Sequence, residues 1–317
     1  MSQAHALPAT IDPVSFTAFE RDFAGFSQAL GDSFARFGFA VISDHGLPQA
    51  RIDAALDAAK AFFTLPEPVK RAYKVGLAGQ RGYTPFGVET AKGHAHYDLK
   101  EFWHTGRDLP PGHRFRDLMP DNVWPDADAP GFHQAVGWLY GALDAMGLRV
   151  LEAIAAWLGL ERGFFAPTVG DGNSVLRLLH YPPVPADGPH LRAGAHEDIN
   201  VITLLLGAEE AGLEVKDRDE RWIGINPPPG ALVCNIGDML QRLTNHRLPS
   251  TTHRVVNPAP ERRGRSRYST PFFLHFNPDY EIRTLLSCVD AAHPDRYPQP
   301  ITADAFLQER LREIKLA

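Results

Sequence analysis

Two different spacings of apolar residues divide this chain. Within 23–37, Phe26, Leu30, Phe34 and Phe37 recur at steps of three or four, the stripe of an amphipathic helix. Gly38 follows, the residue type that most readily takes up the left-handed conformation of a helix stop. A short extended stretch at 39–42 is closed by a turn at Asp44, His45 and Gly46, and a second helix is predicted over 50–63. Leu139, Leu143, Met146, Val150, Ile154 and Trp157 hold the helical period for about five turns before Gly159 ends it. From Ser174 onward the pattern changes to short apolar runs broken by Pro, Gly, Asn and Asp. Strands are predicted at 175–180, 199–206, 213–215, 221–225, 232–236, 252–257 and 269–276. Short strands with frequent turn signals point to an antiparallel sandwich or barrel and away from a doubly wound parallel sheet. Between the two regimes, 78–106 carries Gly79, Gly82, Gly87 and Gly93 and no clear period, and is expected to be a long irregular loop of the kind that carries function.

Charge and composition narrow the partners. With 32 Lys+Arg against 38 Asp+Glu, the formal charge is -6, and the only dense basic run is Arg262, Arg263, Arg265 and Arg267. No nucleic-acid partner is implied. The longest apolar stretches, 153–160 and 201–207, fall far short of the roughly 18 residues that span a bilayer, so no membrane segment is expected. Residues 1–13 lack the basic start and apolar run of a signal peptide, and two cysteines, Cys234 and Cys288, cannot build a disulfide framework. A cytoplasmic protein acting on a small molecule is the expectation; the sequence sets no oligomeric state.

Among 14 histidines, most need no special role. His196 and Asp198 stand apart because they sit two residues apart at the entry to a predicted apolar strand, where both side chains can project from one face. His253 lies at the start of a later strand, far enough along for an antiparallel barrel to return it beside them. Two imidazoles and one carboxylate on one face suit a non-haem Fe(II) centre with open coordination positions, although His-x-Asp alone is a short pattern that chance also supplies. Arg267 and Ser269 bracket Tyr268 at the start of another apolar strand. A guanidinium fork with a neighbouring hydroxyl is a good carboxylate anchor. Tyr181, placed before Pro182 and Pro183, could add a phenolic donor.

Together these motifs resemble the isopenicillin N synthase-like family of Fe(II)- and 2-oxoglutarate-dependent oxygenases, over nearly all of the chain. The stretch from Gly38 through Phe39, Ala40, Val41, Ile42, Ser43, Asp44 and His45 to Gly46 is similar to the family's strand-and-turn signature. Phe62-Phe63-Thr64-Leu65-Pro66, Gly82-Tyr83 and Lys100-Glu101-Phe102 resemble its N-terminal landmarks. The resemblance implies a mainly β fold with supporting α-helices, built on a double-stranded β-helix (jelly roll). It implies one oxygenase domain over 1–317, with a mostly helical part at 1–173, the jelly-roll core at 174–280 and a C-terminal helical segment at 281–317. It further implies Fe(II) on His196, Asp198 and His253, 2-oxoglutarate on Tyr181, Arg267 and Ser269, dioxygen as oxidant, and hydroxylation of a small molecule with release of succinate and CO2. One departure is local: Leu179 and His180 stand where many plant members carry Asn-Tyr before the tyrosine, and His180 should point to the opposite face from Tyr181. Two alternatives share the ligand set. One is an isopenicillin N synthase-type oxidase that uses no 2-oxoglutarate, which the C-terminal Glu313-Ile314-Lys315-Leu316-Ala317 disfavours for want of that enzyme's glutamine; the other is a non-catalytic metal-binding sensor. For the prime substrate, Tyr83, Phe86 and Glu89 of the glycine-punctuated segment, Phe273 on the anchor strand and Arg192 are the expected contacts.

Overall fold

The computed structural model describes residues 11–75, 80–88, 98–183, 192–206, 212–258 and 260–313, and in it the two periodicities become layers packed on each other. An eight-stranded sheet runs in the order Pro13–Ser15, Phe39–Ser43, Leu232–Ile236, Ile202–Leu206, Arg267–Leu274, Val175–Tyr181, Glu101–Gly106 and Gly82–Thr84. Only the first pair is parallel. A smaller four-stranded sheet, in the order Ala193–His196, His253–Val255, Leu213–Lys216 and Trp222–Gly224, faces it. Two opposed, mostly antiparallel sheets with crossed connections are the jelly-roll core that the strand pattern implied.

Alternation along the strands gives the large sheet two different faces. On its outer face Ala40, Ile42, Cys234, Leu204, Phe272 and Leu178 merge with the helices into one core. Its inner face meets the small sheet through two separate patches, Phe39, Val41 and Val233 against Val215 and Ile225, and Phe102, Leu179 and Tyr181 against Ala193 and Val255. Between those patches lies the interior of the barrel.

The long helix Phe132–Trp157 braces the outer face, burying all of Leu139, Leu143, Met146, Val150 and Ile154. Each such side chain contributes about 1.5–3 kcal/mol on burial. Gly147 lets this helix cross close to the sheet, since a Cβ there would stand 2.4 Å from Cδ1 of Leu274 and displace that side chain. The helix begins earlier than its apolar stripe, directly after Gly131 at φ 81°. Phe23–Phe37 and Gln49–Phe63 form the other two main helices, and the first stops at Gly38 with φ 69°. Among the described residues no helix is long and apolar enough to cross a membrane.

Three expectations need correction. The segment 78–106 is not a featureless loop in its described parts, since Gly82–Thr84 and Glu101–Gly106 pair as edge strands of the large sheet. Glycine content hid them, because a strand covered on both faces does not alternate. The predicted strand 199–206 starts only at Ile202, since the Asn200 side chain captures the Ile202 carbonyl and holds the preceding residues in a bend. His196 therefore ends a strand of its own, Ala193–His196, and Asp198 sits in the connection; they converge through a loop and not through strand alternation.

Candidate active site

His196, Asp198 and His253 meet at the mouth of the barrel, each offering a ligand atom within 4.8 Å of the others. Pairing of His253 with His196 across the small sheet sets the two rings 4.4 Å apart. Each imidazole is oriented from behind: Nδ1 of His196 lies 2.8 Å from the Gly194 carbonyl, and Nδ1 of His253 lies 3.2 Å from the Thr251 carbonyl. With the ring proton donated from Nδ1, the Nε2 lone pair of each is left for a metal. Both Nε2 atoms lie near one carboxylate oxygen, Oδ1 of Asp198, at 3.8 and 3.9 Å. Metal–ligand bonds of roughly 2.0–2.2 Å can bridge such gaps with one ion. The second oxygen, Oδ2, accepts from the Thr203 hydroxyl at 2.6 Å and from Asn235 Nδ2 at 2.8 Å. Donor types, tautomers and spacing all fit a divalent ion on three protein ligands with further positions open.

Electrostatics keep His196 and Asp198 in forms that can bind a metal. Desolvation at the crowded mouth and the neighbouring His253 push His196 down to about 4, although part of its edge reaches solvent. Burial alone would raise Asp198, but the two imidazoles and the Asn235 and Thr203 hydrogen bonds hold it below the usual carboxylate range.

Further along the inner face, Arg267 stands directly opposite Tyr181, its guanidinium 5.2 Å from the ring centroid, and Ser269 stands opposite Leu179. Arg267, Ser269 and Tyr181 are all at most 3% exposed. The strand begins at Arg267, two residues before its predicted start, which places both anchor residues inside the ladder. Phe102, Leu179, Ala193 and Val255 form an apolar collar around this end. A guanidinium so enclosed is suited to a charged, planar partner.

The expected substrate contacts separate. Phe273 is on the inner face, opposite Thr203, which holds Asp198. Arg192 is fully buried and donates to the Arg265 carbonyl at 3.0 Å, beside the turn leading into the anchor strand. Glu89 lies outside the described residues. Tyr83 and Phe86 are on the wrong face: Tyr83 pairs with Trp103, packs on Phe62 and donates its hydroxyl to Glu101, while Phe86 lies against His180. Glu101 also accepts from Lys70 at 2.6 Å and engages His180 at 2.7 Å, and His180 stacks on Tyr268 at 4.8 Å. His180 thus points away from Tyr181, as its neighbouring position in an extended strand requires. Thr203, Asn235, Arg177 and His104 are inner-face residues that the motifs did not single out; their signal is strand parity with Asp198's neighbours and with Tyr181.

Comparison with known proteins settles what this geometry belongs to. Residues 172–276 match the model of the 2OG-Fe(II) oxygenase superfamily, and 11–127 match that of the non-haem dioxygenase in morphine synthesis N-terminal family. A 2-oxoglutarate-Fe(II) type oxidoreductase of Emericella nidulans is 35% identical over 292 residues, covering 89% of this chain and 82% of that protein. The chain belongs to the 2OG-Fe(II) oxygenase superfamily. A crystallised protein of Caulobacter crescentus assigned to this oxygenase family shares 69% identity, with a TM-score of 0.91 and coverage of 97% of this chain and 100% of that one. A full-length Neurospora crassa protein, crystallised with α-ketoglutarate and thymine, superposes with a TM-score of 0.85 at 28% identity, covering 95% of this chain and 96% of that one. This oxygenase is therefore an Fe(II)- and 2-oxoglutarate-dependent enzyme that oxidises a small molecule by hydroxylation-type chemistry. The oxidase without 2-oxoglutarate and the sensor without turnover are set aside.

Proposed function

We propose that His196, Asp198 and His253 hold the iron, that Arg267, Ser269 and Tyr181 hold 2-oxoglutarate, and that residues 1–317 work as one oxygenase unit. The observation that carries this reading is the convergence of two Nε2 atoms on Oδ1 of Asp198. The small sheet that carries His196 and His253 packs on the inner face of the large sheet, which carries the enclosed Arg267 and Tyr181. When bound, iron supplies the oxidation: 2-oxoglutarate loses CO2, one atom of dioxygen enters succinate and the other enters the substrate.

The chain's own residues bind, orient and exclude. Thr203 and Asn235 fix Oδ2 of Asp198 and so direct Oδ1 to the metal. The Gly194 and Thr251 carbonyls fix both imidazoles. Arg267 meets the far carboxylate of 2-oxoglutarate through its fork, with the Ser269 and Tyr181 hydroxyls as further donors. Phe102, Leu179 and Val255 keep water from that pair, where its attraction is strongest. The prime substrate is a small molecule and neither a nucleic acid nor a membrane, consistent with the -6 charge. Cys234 and Cys288, both free and buried, favour a reducing compartment such as the cytoplasm.

Iron-loaded protein should release succinate from 2-oxoglutarate, and His253→Ala should lower that release at least a hundredfold. Equal release by the two proteins would overturn the ligand assignment.

A further inference from the structure

Asp198 is held at two levels, by its side chain and by its backbone. Its Oδ2 is met by Thr203 and Asn235. Its backbone is held separately, by the start of the short helix Asp238–Leu243. The Asp238 N–H donates to the Asp198 carbonyl at 2.8 Å, the Met239 N–H to the Asn200 carbonyl at 3.1 Å, and the Gly237 N–H to the Val201 carbonyl at 2.9 Å. The two segments lie so close that a Cβ on Gly237 would stand 2.1 Å from the Asn200 carbonyl oxygen. A shift of this helix start is therefore passed to the segment that carries Asp198.

The charge that fixes the helix start comes from the C-terminal part of the chain. Asp238 is 5% exposed, and its one ion pair among the described residues is with Arg310, Nη2 to Oδ2 at 3.0 Å. Arg310 lies in the last turn of the helix Ala303–Glu313, where its Nη1 also donates to Glu313 at 2.8 Å. That helix has anchors that do not involve Arg310. The Ala303 and Asp304 N–H groups donate to the Tyr280 and Pro278 carbonyls at 2.9 and 3.0 Å. Phe306 is buried, with the Arg242 guanidinium of the short helix 5.8 Å from its ring centroid. The particular contribution of Arg310 is thus at Asp238. Removing one partner of a buried ion pair leaves the other charge uncompensated, and the carboxylate is drawn toward water. The Asp238 carboxylate and the N–H that holds Asp198 belong to one residue, so such a movement reaches the metal ligand without any intermediary.

Resting on the assignment of the metal to His196, Asp198 and His253, we propose that Arg310 is a positioning residue of the metal centre. It is not a ligand. It acts through Asp238, whose backbone fixes the segment of Asp198, so that the C-terminal helix sets the affinity of a site built by other elements.

Mn(II) titration by calorimetry, at a temperature where every variant is folded, provides the test. Arg310→Met should weaken Mn(II) about 5- to 30-fold, the scale on which residues that act through a neighbour change a binding site. A purely structural Arg310 would lower the unfolding temperature and leave Mn(II) affinity unaltered. Asp238→Asn removes the buried charge but keeps the backbone N–H, so adding Arg310→Met to it should change Mn(II) affinity less than about twofold. Arg310→Lys, which keeps the charge, should bind Mn(II) at least about threefold more tightly than Arg310→Met, and it carries the test if Asp238→Asn does not fold. Mn(II) affinity of Arg310→Met within about twofold of wild type, or an equal loss from Arg310→Met in the Asp238→Asn background, would overturn the proposal. A wild type that binds no Mn(II) would overturn the ligand assignment on which it rests.

Discussion

The strands Glu101–Gly106 and Val175–Tyr181 present two opposite environments from alternate residues. On the outer face, Glu101, Trp103 and His180 close a network inside the fold: Glu101 takes Lys70, Tyr83 and His180 as partners, and Trp103 packs on Phe62 and Phe132. On the inner face, one residue along, lie Phe102, His104, Arg177 and Tyr181, and the guanidiniums of Arg177 and Arg267 lie over aromatic rings. Both faces are buried and both carry charge. The difference is that the outer charges meet one another directly, whereas the inner guanidiniums are set against aromatic rings. Polar residues in a covered strand thus divide by parity between two buried environments.

Breaking the outer network should have the largest effect on stability. Glu101→Ala leaves the buried Lys70 ammonium without its 2.6 Å carboxylate and should cost about 3–5 kcal/mol in urea unfolding. A loss under about 1 kcal/mol would show that the network is dispensable. Its pH dependence sharpens the point. Burial raises the Glu101 carboxyl, but His180, Lys70 and Tyr83 outweigh that and hold it below its ordinary value of 4.5. A carboxylate lowered in the folded state stabilises fully above its unfolded pKa and loses that contribution as pH falls through the folded value. The wild-type advantage over Glu101→Ala should therefore be level above about pH 5 and shrink on further acidification.

The inner face should respond in function while the fold survives. Arg267→Ala should weaken 2-oxoglutarate by about 2–5 kcal/mol, or roughly 30-fold to several thousand-fold, with Mn(II) affinity nearly unchanged. Titration of the metal-loaded variant with 2-oxoglutarate measures this, and unaltered affinity would remove Arg267 from the site. A smaller effect is expected one step behind the ligands. Thr203→Val keeps the shape and deletes the 2.6 Å hydrogen bond to Asp198, so metal affinity should fall about 10–100-fold.

Much of this division was legible beforehand, for identifiable reasons. The helix stripes and Gly38 were readable because an amphipathic helix writes its buried face at a fixed period. His196, Asp198 and His253 could be picked out as a candidate set because ligand chemistry restricts residue type, and the structure brings their ligand atoms together. Tyr83 misled because an aromatic with a polar tip suits a pocket and an interior network equally well, and only the register of Gly82–Thr84 against Glu101–Gly106 reveals its face; Phe86 lies past that strand, against His180. Arg177 and His104 carry no motif of their own. Their pairing depends on which strands become neighbours, a long-range property that local periodicity does not encode.

The most direct test of the account is the stoichiometry of Mn(II) binding by wild-type protein and by Asp198→Ala, measured by calorimetry with and without 2-oxoglutarate. The account predicts one ion per wild-type chain, tightened by 2-oxoglutarate, and no saturable binding in Asp198→Ala, whose two remaining imidazoles lack the carboxylate that both face. One ion per chain at unchanged affinity in Asp198→Ala would contradict it.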